Sequence, residues 1–342
     1  MTSREFLYGI MGRRRCLRIL CILGSGLLSG VGFPVQSEAK VKKSRVVLIK
    51  TENRRQGIEQ AMAEFDLSSY AGKKIALKAN YNSSDPFPAS THPEALQTVL
   101  EVLGNASCGP IVLAERSGMG TTRAVLEDLG VFRICEEHGV EVVVMETLKE
   151  ADYIQFQPEA SHWRRGFLLA LPFSWADKVV QICCLKTHQF GGDFTMSLKN
   201  GVGAIAKYDP ADGYNYMQEL HGSPKQRTLV AEISQAFHSD IIIMDGTKAF
   251  VTGGPHTGRE VAPGVIVAGT DPVAVDAVGV AILRLYGTTP AVSRGKIFEQ
   301  EQIRRAAELG IGIASAAQIE LVPKGAGSQD FADKIRKIMM EG

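Results

Sequence analysis

The stretch VVQICCLKTHQFGGDFTMSLKNGVGAIAKY, Val179–Tyr208, decides the reading of this 342-residue chain. Val179 to Leu185 is an apolar, strand-like run. Neighbouring residues on a strand face opposite sides, so Cys183 and Cys184 are both expected as buried thiols. The run delivers Lys186, Thr187 and His188 at its C-terminal end, where open α/β sheets place their ligands. A Gly191-Gly192 pair follows, then Thr195, Ser197, Lys199 and Asn200 ahead of Gly201 and Gly203. Lysines, hydroxyls and glycines near a helix start supply an anion with charge, directional donors and close backbone approach. The spacing is not that of a Walker loop. The competing reading of the segment is a solvated loop with scattered lysines.

Outward from this stretch, short apolar runs alternate with amphipathic ones. Strands are expected at Val46–Ile49, Ile75–Lys78, Ile111–Ala114, Val140–Met145, Phe167–Leu171, Ile241–Met244 and Val265–Ala268. Helices are expected at about 54–65, 93–103, 123–137, 226–238, 271–286, 298–309 and 329–340. Residues 147–166 interrupt the rhythm as an inserted excursion. The alternation predicts an α/β fold, a largely parallel or mixed sheet covered by helices on both faces. In the clearest helix, Asp271 is placed to cap, Pro272 suits the first position, and Val273 to Leu285 is apolar almost all round. Asp276 sits inside that helix, so its carboxylate must be paired, protonated or bound to a cation.

The first 39 residues differ from the rest. Basic Arg13, Arg14, Arg15 and Arg18 precede an apolar run from Ile19 to Phe33, then small residues ending at Ala39. This order is that of a cleavable export signal, and the run is short for a membrane span. GRRRCLR, Gly12–Arg18, resembles the twin-arginine consensus, with Cys16 and Leu17 in its apolar positions. An ordinary signal with extra arginines, or a retained anchor, is the alternative. The expected organisation is therefore a signal at 1–39 and one α/β body at 40–342, periplasmic or otherwise extracytoplasmic after cleavage. The expected macromolecular partner is the twin-arginine export machinery, with membrane contact only during export.

The signal holds five of the 38 basic and two of the 37 acidic residues, which leaves the body a formal charge of −2. Near-neutral balance argues against nucleic acid as a partner. The body's cysteines, Cys108, Cys135, Cys183 and Cys184, form no CxxC and no iron–sulfur run. Whether Cys108 and Cys135 form a disulfide is open at this point.

Other segments bring polar side chains to strand ends. LKANYN repeats the lysine-then-polar arrangement with Lys78, Asn80 and Asn82. His92 before Pro93 serves equally as a cap or a site residue, His221 precedes the next helix, and Asp245-Gly246 ends a strand. GGPHTG, Gly253–Gly258, reads as a turn carrying His256. His188, His221, Asp245 and Asp276 offer nitrogen and oxygen ligands for a divalent metal, though no metal-ligand spacing supports the set. His138, His162 and His238 read as surface or core residues.

Taken together and in order, LKAN, His92-Pro93, LKTH, TMSLKNGVG, Asp245-Gly246, GGPHTG and AGTDPVAVD resemble the bacterial and archaeal family known as domain of unknown function 362. The resemblance spans about 78 to 276. Some members carry an added ferredoxin-type cluster domain. This chain lacks that cysteine run, so an electron-carrying role is not carried over; the resemblance implies the pocket residues above and supplies no substrate.

The leading expectation is an exported enzyme acting on a small anionic substrate or cofactor. His188, Lys186 and Lys199 are the candidate catalytic residues, with His188 chosen because an imidazole titrates near neutrality. Lys78, Asn80, Thr195, Ser197 and Asn200 are the candidate ligand-binding residues. The alternatives are a non-catalytic protein that binds or matures a ligand, metal or cofactor for a redox system, and a structural protein whose polar loops satisfy backbone groups. Replacing Arg13 and Arg14 with lysine should leave precursor in the cytoplasm, scored by fractionation and precursor size. Undiminished export of that variant contradicts the twin-arginine assignment.

Overall fold

A computed structural model describes residues 43–342; the expected export signal lies outside the described residues. Twelve strands are present among them: β1 (Ser44–Lys50), β2 (Ile75–Lys78), β3 (Ile111–Glu115), β4 (Glu141–Val144), β5 (Tyr153–Phe156), β6 (Phe167–Ala170), β7 (Lys178–His188), β8 (Asp193–Thr195), β9 (Ile241–Gly253), β10 (Gly258–Val261), β11 (Val265–Gly269) and β12 (Ile319–Lys324). The main sheet runs β12-β1-β11-β9-β7-β2-β3-β4, with β8 and β10 folded back on β7 and β9. Within the eight-strand path β11 alone is antiparallel to its neighbours. The sheet is thus mixed and mostly parallel.

Alternation along each strand sorts the core onto two faces. Val46, Leu48, Cys183, Leu185 and Val267 pack beneath helices Pro272–Leu285, Glu301–Glu308 and Ser328–Glu341. Val47, Ile49, Ile182, Ile243 and Ile266 face helices Arg54–Met62, Pro93–Asn105 and Val131–Glu137. Parallel strands buried on both sides explain why the sequence shows unbroken apolar runs. Among the described residues no helix is long and apolar enough to cross a membrane.

Several elements differ from expectation for local reasons. The helix expected over 123–137 is two, Thr122–Asp128 and Val131–Glu137, separated where Gly130 takes a left-handed conformation (φ 69°). The interruption at 147–166 includes β5, which pairs with β6 in a separate two-stranded sheet, so Phe167–Ala170 is not part of the main sheet. β9 does not stop at Met244. It is interrupted by a bulge in its pairing with β7, which passes from Cys184↔Asp245 to Leu185↔Ala249, and then continues to Gly253. His221 precedes helix Gln226–Ile233 as expected, and it lies in a short helix of its own, Tyr216–Gly222. All four cysteines of the body are free thiols, so Cys108 and Cys135 are not joined.

Helix Pro272–Leu285 starts as its sequence dictates. Asp271 accepts from the amides of Val273 at 2.9 Å and Ala274 at 3.1 Å, and its second oxygen takes the Ile313 amide at 2.9 Å. Asp276, fully buried, points away from the helix axis into the neighbouring loop and accepts from the amides of Ser197 (2.8 Å) and Leu198 (3.2 Å) and from Gln302 Nε2 (3.4 Å). It thereby caps, from another element, the short helix Ser197–Asn200. Burial raises its carboxyl from 3.8 to about 7.

Asp276→Leu strands two buried amides and should cost about 2–5 kcal/mol in urea unfolding. Because the folded value lies above the unfolded one, the carboxyl contributes stability that is full below 3.8 and lost as pH rises through about 7. Asp276→Asn should therefore flatten the decline in stability across that window. A leucine variant as stable as wild type contradicts the capping role.

Candidate anion-binding site

The chain leaves β2 for β3 and β4 on one side, then returns to place β7 on the other side of β2. That reversal is a topological switch point, and a crevice opens at the carboxyl ends of strands flanking such a point. Here it holds a cavity of about 600 Å³, within the range of small-molecule sites. Lys78 and Asn80 come from the end of β2, Glu115 and Arg116 from the end of β3, and Lys186 and His188 from the end of β7.

β7 extends past Leu185 because β8 pairs with it, so Lys186 and His188 are strand residues that share one face. The register Lys186↔Thr195 sets Thr195 on that same face. Lys199 then enters from helix Ser197–Asn200, which Asp276 holds in place. Gly192, between β7 and β8, brings the two parts together. A Cβ there would lie 2.7 Å from Lys199 Cε and 3.0 Å from His188 Nδ1, so a larger residue would push the Lys199 side chain aside.

Five cationic side chains line the cavity, Lys78, Arg116, Lys186, Lys199 and Lys207, against one carboxylate, Glu115. They are held in different ways. Lys78 Nζ meets both oxygens of Glu115 at 2.8 Å, in a pair almost fully buried, so its charge is already matched. Lys186, with no exposed surface, donates to Asn80 Oδ1 (2.7 Å), Pro88 O (3.2 Å) and Ala89 O. Its protons are spent on neutral oxygens and its charge has no counter-ion there. Arg116 donates to the carbonyls of Ile205 (3.1 Å) and Val202 (2.6 Å). Asn200, packed between β2 and β7, donates to Gln181 Oε1 at 3.1 Å and turns its oxygen toward Lys78 and Asn80.

Lys199 has no partner among the described residues. It is 9% exposed, and burial, followed by the charges of Arg116 and Lys186, lowers its ammonium to about 8. Tyr81 Oη, His188 Nδ1 and Thr195 Oγ1 are likewise buried without a hydrogen-bond partner, and all three residues line the same cavity. Buried polar atoms are nearly always satisfied in folded proteins, so these three are available to a water or a ligand in the cavity. Burial and the Lys199 charge also depress both imidazoles: His221 falls to about 4 and His188 further still. His188 is neutral at pH 7 in the empty cavity, which corrects the expectation of a near-neutral titration.

The structure brings together Lys78, Asn80, Lys186, His188, Thr195, Lys199 and Asn200 of the residues expected from sequence. Ser197 does not line the cavity; its amide binds Asp276 and its hydroxyl is buried. The four residues considered for a metal are dispersed. His188 and His221 line the cavity, whereas Asp276 caps the helix and Asp245 is taken by Arg54 Nε (2.6 Å) and by Thr247 Oγ1 (2.7 Å). Among the described residues no cluster of three or more potential ligands occurs. His92 is the N-cap of its helix, accepting from the Glu94 amide at 3.1 Å.

Sequence reasoning missed Glu115 and Arg116, although ERSGMG follows a core strand just as LKTH does. Tyr81, Phe190, Lys207 and Met217 carry no local signal, because tertiary packing of loops and of helix Tyr216–Gly222 brings them to the cavity.

No curated protein matches the chain. Among solved structures, the lactate racemase apoprotein from Thermoanaerobacterium thermosaccharolyticum is similar at 14% identity and a TM-score of 0.43. The match covers 69% of this chain and 57% of that one. A family model matches residues 75–281, which include every strand end that forms the cavity, and the chain accordingly belongs to the family described as a domain of unknown function, DUF362.

Proposed function

We propose that this protein is an exported enzyme acting on a small organic anion bound at the switch-point cavity. The observation that carries the reading is Lys199, a buried ammonium without a partner among the described residues, surrounded by orphaned polar atoms of Tyr81, His188 and Thr195. An anion entering this cavity meets one unmatched charge directly and the field of Lys186 and Arg116 behind it. A charge-assisted hydrogen bond in such surroundings is worth about 1.5–3 kcal/mol. Burial depresses His188 most and the positive charges of Lys199 and Lys186 add to it; the anion offsets those charges, so occupancy raises the basicity of the ring. Export rests on the N-terminal basic and apolar pattern, and passage of a folded protein through the twin-arginine route is compatible with a preformed cavity.

One feature favours a second reading, non-catalytic carriage of the ligand. In the empty cavity neither His188 nor His221 holds a proton at neutral pH. Turnover on a panel of phosphate and carboxylate esters separates enzyme from carrier.

The two central lysines should behave differently. Lys199→Met should leave the melting temperature of the empty protein unchanged or slightly raised, since it removes a repelled charge. It should weaken binding of oxalate or inorganic phosphate about 10- to 100-fold, as the lost contact requires. Lys186→Met strands Asn80 Oδ1 and two carbonyls and should lower the melting temperature outright. Equal ligand-induced shifts in wild type and Lys199→Met contradict the anion site.

A further inference from the structure

Lysines that only attract anions usually keep their ammonium exposed or tied to oxygens. Lys78 and Lys186 show the second arrangement. Lys199 shows neither: its stem is buried, its nitrogen faces the cavity, and no acceptor among the described residues fixes it. His188, uncharged and with a free ring nitrogen, lies beside it, since a Cβ on Gly192 would stand 2.7 Å from Lys199 Cε and 3.0 Å from His188 Nδ1. Tyr81 and Thr195 line the same cavity with unused hydroxyls. A free amine, a neutral base beside it and hydroxyl donors in the same cavity form the equipment for nucleophilic attack on a carbonyl.

We propose that Lys199 is a nucleophile that forms an imine with a carbonyl compound carrying its own anionic group, of the 2-oxo acid class. The inference rests on the anion-site reading given above. The Lys199 nitrogen lone pair attacks the carbonyl carbon, the C–N bond forms, and the π electrons move to oxygen. His188 takes a proton from the nitrogen and passes it to the alkoxide, which gives the neutral carbinolamine and restores the neutral imidazole. The nitrogen lone pair then expels the hydroxyl while His188 relays the remaining N–H proton to it, so that one water leaves and the neutral C=N bond forms. Amine plus carbonyl give imine plus one water, with no oxidant or reductant. Lys186 and Arg116 hold the substrate's carboxylate by their field, and burial, followed by those two charges, keeps part of Lys199 unprotonated near neutral pH. The charged and titratable groups around its nitrogen are Arg116, Lys186, His188 and His221.

Glyoxylate is a suitable probe, because its reactive aldehyde and carboxylate report amine reactivity rather than a particular substrate fit. Full-length protein is incubated with glyoxylate, reduced with cyanoborohydride and mapped by peptide mass spectrometry. Lys199→Arg, which keeps the charge and removes the nucleophile, is run in parallel, and thermal shifts with oxalate are recorded for both. The expected result is a reduced adduct concentrated on Lys199 and absent in Lys199→Arg, with an oxalate shift in the wild-type protein. The labelling rate should level off above about pH 8. Retained oxalate shifts without a Lys199 adduct overturn the imine and leave the anion site standing. An adduct spread evenly over exposed lysines overturns it as well, and loss of the oxalate shift in wild type overturns the anion site itself.

Discussion

Placing cations in a protein interior without matching carboxylates costs several kcal/mol per ion after relaxation. This chain does so at Lys186, Lys199 and Arg116, and matches only Lys78, through Glu115. The rest of the site depends on that imbalance. Carbonyl oxygens of loops around Pro88, Val202 and Ile205 are turned inward to solvate Lys186 and Arg116, which fixes those loops against the sheet edge. What the backbone does not solvate is left to a ligand. The cavity is therefore a consequence of the charge arrangement as much as of the strand order that opens it.

The anchoring of Lys199 shows how the fold maintains such a position. Its helix is only four residues long and could not persist by itself. Asp276, from the largely buried helix Pro272–Leu285, supplies the missing cap. A buried carboxylate that looked like a metal ligand in the sequence is instead the link between core and site. Asp245 has a comparable structural duty: with Arg54 and Thr247 it stabilises the bulge where β9 parts from β7.

Much of this was legible in the sequence, because strands buried on both faces and capped helices write strong local signals. β2 matches the expected Ile75–Lys78, and Asp271-Pro272 marks the start of its helix as the cap geometry requires. The lysine-bearing strand ends could be read as a ligand edge for the same reason. Long-range relations could not. That Asp276 reaches Ser197, that Lys78 spends its charge on Glu115, and that His221 turns from a helix into the cavity all depend on tertiary packing. The pKa reading failed similarly: a histidine titrates near neutrality only in water, and burial beside Lys199 removes that condition.

The central claim is that an unmatched positive field fills the empty cavity. Side-chain NMR titration of His188 and His221, in wild type and in Lys199→Met, tests it most directly. The account predicts that both rings titrate well below 6.5 in the wild-type protein, His221 near 4, and that both move upward when the Lys199 charge is removed. Rings that titrate near 6.5 and do not respond to the loss of Lys199 would show that water screens the cavity, and would contradict the account.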